Sequence, residues 1–258
     1  MKKLLFSFII IAASLLSVGA GLKEYRGGDP RPGNFNLVLL FKPVVDSLPL
    51  LLDSVTYTNA WKETYSVNAF KFYVSGFRLI DTASGMEQPV NAGACFLIDV
   101  SDSATWTAKL PVPAGHRYNC ISFTIGVDSA RNVGGAQTGA LDPVNGMFWT
   151  WNSGYVMAKL QGQSAVSSLV NNKMEYHIGG FRGETSVLRQ VVLRFSQFLQ
   201  TAPGGTSTVT IAANANAWFD GPHPITIAAN PSCTTPGQMA KDISENYSRM
   251  FTIIQTTH

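Results

Sequence analysis

The sequence predicts an all-β fold, an antiparallel β-sandwich with one short C-terminal helix, and three observations carry that prediction. Runs rich in β-branched and aromatic residues recur along the chain, bounded by turn residues such as Pro113-Ala114-Gly115 and Pro203-Gly204-Gly205. Within residues 118–127, Ile121, Phe123, Ile125 and Val127 share one face at period two, the pattern of a half-buried strand. Only one segment, near the C-terminus, carries helical spacing.

The chain opens on a different composition. Lys2 and Lys3 precede an almost wholly apolar stretch, residues 4–16, and Val18-Gly19-Ala20 offers small residues for cleavage. These are the parts of a secretory leader, so residues 1–20 are expected to be a signal peptide and 21–258 the exported domain. An apolar core of about a dozen residues falls short of the roughly 20 that a membrane span needs. The residue directly after Ala20 is Gly21 and not a cysteine that could accept a lipid anchor, and a periplasmic or secreted destination is expected.

Removing the leader takes two of the 19 Lys and Arg and none of the 16 Asp and Glu, leaving a formal charge of +1. That balance gives no electrostatic footprint for nucleic acid or an anionic membrane. No Pro/Gly/Ser linker divides the remainder, which reads as one domain. Strands are expected at 35–41, 70–80, 95–100, 118–127, 154–160, 174–181, 187–195, 207–213 and 225–228, with a last short one at 251–254. Two packed antiparallel sheets accommodate such a series.

Thr235-Pro236-Gly237-Gln238 supplies an N-cap, a proline at the first helical position and a glutamine for a capping box. A helix should follow, burying Met239, Ile243, Tyr247 and Met250, with Arg249 near its C-terminal dipole. The three cysteines, Cys95, Cys120 and Cys233, forbid full internal pairing. Cys95 and Cys120 are compatible with a bridge or with two small buried residues; Cys233, in a loop, is expected to be the free thiol.

No nucleophile elbow, HExxH pair, phosphate-cradling loop or cysteine quartet is present, and a non-enzymatic role is expected. Asp128 and Asp142 lie in a Gly/Asn-rich segment where carboxylates commonly hold turns, against a calcium or acid/base role. The most unusual stretch is Gly146-Met147-Phe148-Trp149-Thr150-Trp151-Asn152-Ser153-Gly154-Tyr155. If extended, it points Trp149 and Trp151 to one face and Phe148 to the other. Three readings of the pair stand: core filling, a ligand-binding or adhesion face for carbohydrate, and a redox-active or metal-facing indole with the thioether of Met147 nearby. Of the four histidines, His116 and His223 read as solvated loop residues. His177 interrupts a strand, on the face of Glu175 and opposite Met174, Tyr176 and Ile178. His258 is the last residue.

Three blocks resemble the MbnP-like family of exported bacterial proteins: Gly126-Val127-Asp128-Ser129-Ala130-Arg131-Asn132, Gly135-Ala136-Gln137-Thr138-Gly139-Ala140-Leu141-Asp142-Pro143, and the tryptophan stretch just quoted. Phe70-Lys71-Phe72-Tyr73-Val74-Ser75, Tyr176-His177-Ile178-Gly179-Gly180, Trp218-Phe219-Asp220-Gly221-Pro222 and the region from Asn246-Tyr247 to Met250-Phe251 extend it over nearly all of residues 21–258. The resemblance implies a β-sandwich that binds periplasmic copper and is copper-chaperone-like. It also implies a di-haem partner of the cytochrome c peroxidase/MauG type that oxidises a tryptophan to kynurenine, which then holds Cu(I) together with histidine. Carried over by residue, it puts His177, Trp149, Trp151 and His258 forward as the metal set. Many relatives carry a histidine on the first strand, where this chain has Leu40-Phe41-Lys42-Pro43, and an Asp-His-x-His tail, where it has Ile253-Ile254-Gln255-Thr256-Thr257-His258.

Overall fold

A computed structural model describes residues 33–150 and 154–258; the expected leader at 1–20 and Trp151 lie outside the described residues. In chain order the strands are β1 (Asn34–Val45), β2 (Leu48–Pro49), β3 (Thr56–Thr58), β4 (Thr64–Asp81), β5 (Met86–Pro89), β6 (Cys95–Asp99), β7 (Thr107–Pro113) and β8 (Arg117–Ile125). After the short helix α1 (Ser129–Val133) come β9 (Phe148–Thr150), β10 (Gly154–Gln163), β11 (Lys173–Gly179), β12 (Arg189–Gln200), β13 (Thr206–Asn214) and β14 (Ser232–Cys233). Helix α2 (Gln238–Tyr247) and β15 (Phe251–Thr257) complete the chain.

The fold is all-β, in two sheets. One runs β15-β13-β1-β2 with β7 also on β1; the other runs β12-β8-β4-β10-β11-β14, with β3, β5 and β6 on β4 and β9 on β10. The expected antiparallel order needs one correction, because β1 and β13 pair in parallel from Asn36↔Thr206 to Val44↔Asn214, as do β11 and β14. These pairs join segments far apart in sequence, and local periodicity carries no information on the relative direction of such strands.

Alternation builds the core. Phe35, Leu37, Leu39 and Phe41 of β1 point inward to meet Phe72 and Phe123 of the opposite sheet. Phe41 packs edge-on against Phe72 at 6.0 Å and Phe123 at 5.8 Å, and Phe251 closes the cluster 5.1 Å from Phe123. Such pairs add about 0.5–1.5 kcal/mol each beyond area burial. Strand β8 departs from the half-buried expectation: Tyr118, Cys120 and Ser122 on its other face are buried as well.

The expected strand at 225–228 is absent, and the reason is a buried carboxylate. Glu63 accepts the backbone N–H groups of Ile227 (2.7 Å) and Ala228 (2.9 Å), so those donors join no ladder. Helix α2 begins at Gln238 rather than after Thr235, and its N-cap Gly237 makes no side-chain cap bond. Cys233 is drawn into β14 beside Tyr176, which leaves the intervening residues to turn the chain. Gln238 donates instead to Asp242 at 2.6 Å. The expected stripe holds, with Ile243, Tyr247 and Met250 fully buried and Met239 packed at its edge. All three cysteines are free; Cys233 is buried rather than looped out, and burial pushes its thiol up to about 11.

Candidate functional site

The segment between β8 and β10 is held by side chains that cap and staple it. Asp128 caps α1 by accepting from Arg131 N (3.0 Å), and Asp142 accepts from Val144 N (2.9 Å), so both carboxylates hold turns. Asn132, fully buried, donates to Val127 O (2.6 Å) and Asp128 O (3.0 Å) and accepts from Tyr155 N (2.9 Å). The Tyr155 hydroxyl donates to Leu141 O at 2.8 Å. Two lysines of the second sheet clamp the end of this segment: Lys159 donates to Gly146 O, and Lys71 to Asn145 O at 3.3 Å while pairing with Asp99 at 2.7 Å. Gly146, at φ +68, then turns the chain into β9.

Strand β9 hydrogen-bonds along β10 and carries Phe148 and Trp149 to the edge of the sheet. Phe148 packs on Tyr155, ring centroids 4.8 Å apart. Trp149 is half-buried, its six-membered ring lying over Gly179 of β11. A Cβ at position 179 would stand 2.4 Å from Trp149 Cζ3 and 2.8 Å from Cη2. Glycine is therefore a requirement of this contact. Gly179 and His177 are two residues apart on β11, so by alternation they share its outer face, the face over which the indole of Trp149 lies at Gly179. Met174, Tyr176 and Ile178 point the other way, into the core, as alternation predicts.

His177 pairs across the ladder with Lys159. Its Nε2 is buried and has no hydrogen-bond partner among the described residues. Burial lowers its pKa from 6.5, the nearby Lys159 cation lowers it further, and Glu175 opposes them. The imidazole is thus held neutral near pH 7, the form that binds metals.

Other members of the expected set are placed differently. Met147 is fully buried, so its thioether is closed to solvent. His258 lies at the end of β15, with Nδ1 2.9 Å from Ser207 Oγ. β15 packs beside β12, and β12 is four strands from β11 in the second sheet, roughly 19 Å at the usual spacing. Trp149 thus lies over the strand that carries His177, while His258 follows β15 of the other sheet. A stacking platform for sugars is disfavoured at Trp149, because Gly179 covers part of the ring. His116 is exposed, as expected of a loop residue. His223 is not a free loop residue: its Nε2 is 2.6 Å from Glu245 Oε2 of α2.

Two participants were not legible from the sequence as site residues, Gly179 and Lys159. Gly179 stands in the Tyr176–Gly180 block of the resemblance, and the pairing of Lys159 with His177 emerges only with the register of β10 and β11.

Two measurements test this geometry. Gly179→Ala is expected to displace the indole and destabilise the fold by about 1–3 kcal/mol through overpacking, seen as a lower urea midpoint. A pH series tests His177. Its folded pKa lies below the unfolded 6.5, so the unfolded chain binds more protons between the two values. The stabilising contribution is complete above pH 6.5 and is lost as pH falls through the folded value. The urea midpoint should drop over that window, and His177→Gln should remove this component of the drop.

A family model described as MbnP matches residues 34–235. Among solved structures, MbnP from Methylosinus trichosporium aligns at 14% identity and a TM-score of 0.47, over 86% of this chain and 97% of that one. Comparison with curated proteins gives no match. The matched span runs from the first strand through β14 and includes Trp149, His177 and Gly179, and on that match this chain belongs to the MbnP family.

Proposed function

We propose that this is an exported, periplasmic, non-enzymatic copper-binding protein. In this reading Cu(I) is held by His177 and by kynurenine formed from Trp149. The observation that carries it is the buried, unpartnered Nε2 of His177 on the strand whose outer face the Trp149 indole covers at Gly179, with burial and Lys159 both lowering the imidazole's pKa. Imidazole nitrogen suits copper, and conversion to kynurenine would replace an indole, a poor ligand, with an aniline nitrogen and a ketone oxygen. The oxidising equivalents come from a di-haem partner of the cytochrome c peroxidase/MauG type, acting on the half-buried Trp149 at the sheet edge. Oxidation inserts two oxygen atoms as the C2–C3 bond of the indole is cleaved, and hydrolysis then releases one carbon as formate, a net gain of one oxygen and loss of one carbon.

Two readouts test the proposal on protein purified from its own host. Peptide mass spectrometry should find the kynurenine mass change at Trp149, and its absence from protein produced without the partner. Titration with Cu(I) against a competing chelator should give one bound ion per chain. An unshifted Trp149 peptide in host-derived protein would remove kynurenine from the ligand set, and failure to compete for Cu(I) would end the copper reading.

A further inference from the structure

A second cluster lies away from the Trp149–His177 face, where the loop after β13 meets α2. His223 stands between Pro222 and Pro224, and its backbone is gripped by the buried Asn246. Asn246 Oδ1 accepts from His223 N at 3.0 Å and its Nδ2 donates to His223 O at 2.5 Å. Gly221 is pressed so closely on this side chain that a Cβ there would stand 2.6 Å from Asn246 Oδ1. The imidazole is therefore delivered to the helix by a rigid loop, at a place its own side-chain contacts do not have to maintain.

Asp242 and Glu245 are three apart on α2 and so share one face of the helix. One nitrogen of His223 and one oxygen from each carboxylate lie within 4.8 Å of one another. Nε2 is 2.6 Å from Glu245 Oε2, and Nδ1 is 3.8 Å from Asp242 Oδ1. The second oxygen of Glu245 is occupied separately: Arg189 lies 3.4 Å and Lys241 3.9 Å from Oε1. The two cations orient the carboxylate so that Oε2, and not Oε1, faces the histidine, as outer-shell groups do around metal ligands.

We propose that His223, Asp242 and Glu245 form a binding site for a divalent ion of the Zn(II) type, separate from the His177 face. One imidazole and two carboxylates are a borderline-hard N/O set, suited to Zn(II) rather than Cu(I). The ion takes the position of the proton shared by Nε2 and Oε2, and that proton leaves to solvent. Zn–N and Zn–O bonds of about 2.0–2.2 Å require the donors to adjust by roughly an ångström. Arg189 and Lys241 reduce the negative charge at the site, so the affinity is expected to be below that of a structural zinc centre.

Isothermal titration of the full exported chain with Zn(II), and absorption spectroscopy with Co(II) as a d–d reporter, test the site. One Zn(II) per chain is expected, with binding weakened on the order of 10-fold or more by His223→Ala and by Asp242→Asn. Asp242→Asn keeps the shape and alters a residue whose other side-chain bond is to Gln238, so it serves if His223→Ala fails to fold. His177→Ala should bind Zn(II) as the parent does. No Zn(II) binding by the parent, unchanged binding by Asp242→Asn, or loss of binding in His177→Ala would each overturn the proposal. The Cu(I) competition assay is scored independently of this result.

Discussion

His177→Ala in host-derived protein is expected to weaken Cu(I) binding by about 100-fold or more. Altering groups that merely orient metal ligands already costs about 10–100-fold, and here the ligand itself is removed. The fold should survive the change, because His177 is on the outer face of β11 and its strand neighbours Tyr176 and Ile178 supply the buried area. An equal urea midpoint near pH 7 with reduced Cu(I) competition would match this expectation. An unchanged Cu(I) affinity would move the site off β11.

Trp218→Ala should have the largest effect on stability, a loss of roughly 3–5 kcal/mol. Trp218 is 1% exposed and sits where the second sheet meets α2. Its ring is 6.0 Å from Phe70, edge-on, and 4.9 Å from Tyr247 of the helix. Its carbonyl accepts from Asn246, the residue that also grips the loop carrying His223. Truncation therefore opens a cavity under α2 and loosens the helix from the sheet. Urea unfolding should show a lower midpoint with the slope unchanged, the mark of a stability change alone. Trp218→Phe should cost less, because an aromatic ring remains and the indole N–H, which has no partner among the described residues, is removed with the substitution. Equal losses in the two variants would contradict the cavity account.

The two sites differ in how far the sequence exposes them. Trp149 and His177 stood out by residue type: two indoles in one short stretch, and a histidine interrupting a strand. Alternation then assigned His177 to the outer face correctly, since period two is a local property of any strand. Nothing local links His223 to Asp242 and Glu245. They are joined because Asn246 grips the loop and α2 packs against the sheet, and the loop alone reads as solvated. The expected helix cap at Thr235 failed for a related reason: the pairing of Cys233 with β11 outweighed a local capping preference worth about 1 kcal/mol.

The sequence by itself determined the all-β class, most strand positions, the buried stripe of α2, the turn-holding roles of Asp128 and Asp142, and the prominence of Trp149 and His177. Each follows from interactions among residues close in sequence, whose periodicity and turn chemistry are written in consecutive side chains. Tertiary structure decided the parallel pairing of β1 with β13, the burial of both faces of β8, and the capture of residues 227 and 228 by Glu63. It also decided the seating of Trp149 on Gly179 and the separation of His258 from His177. Those depend on which distant segments meet, and that is settled by the packing of the whole core and by the need of each buried polar group for a partner.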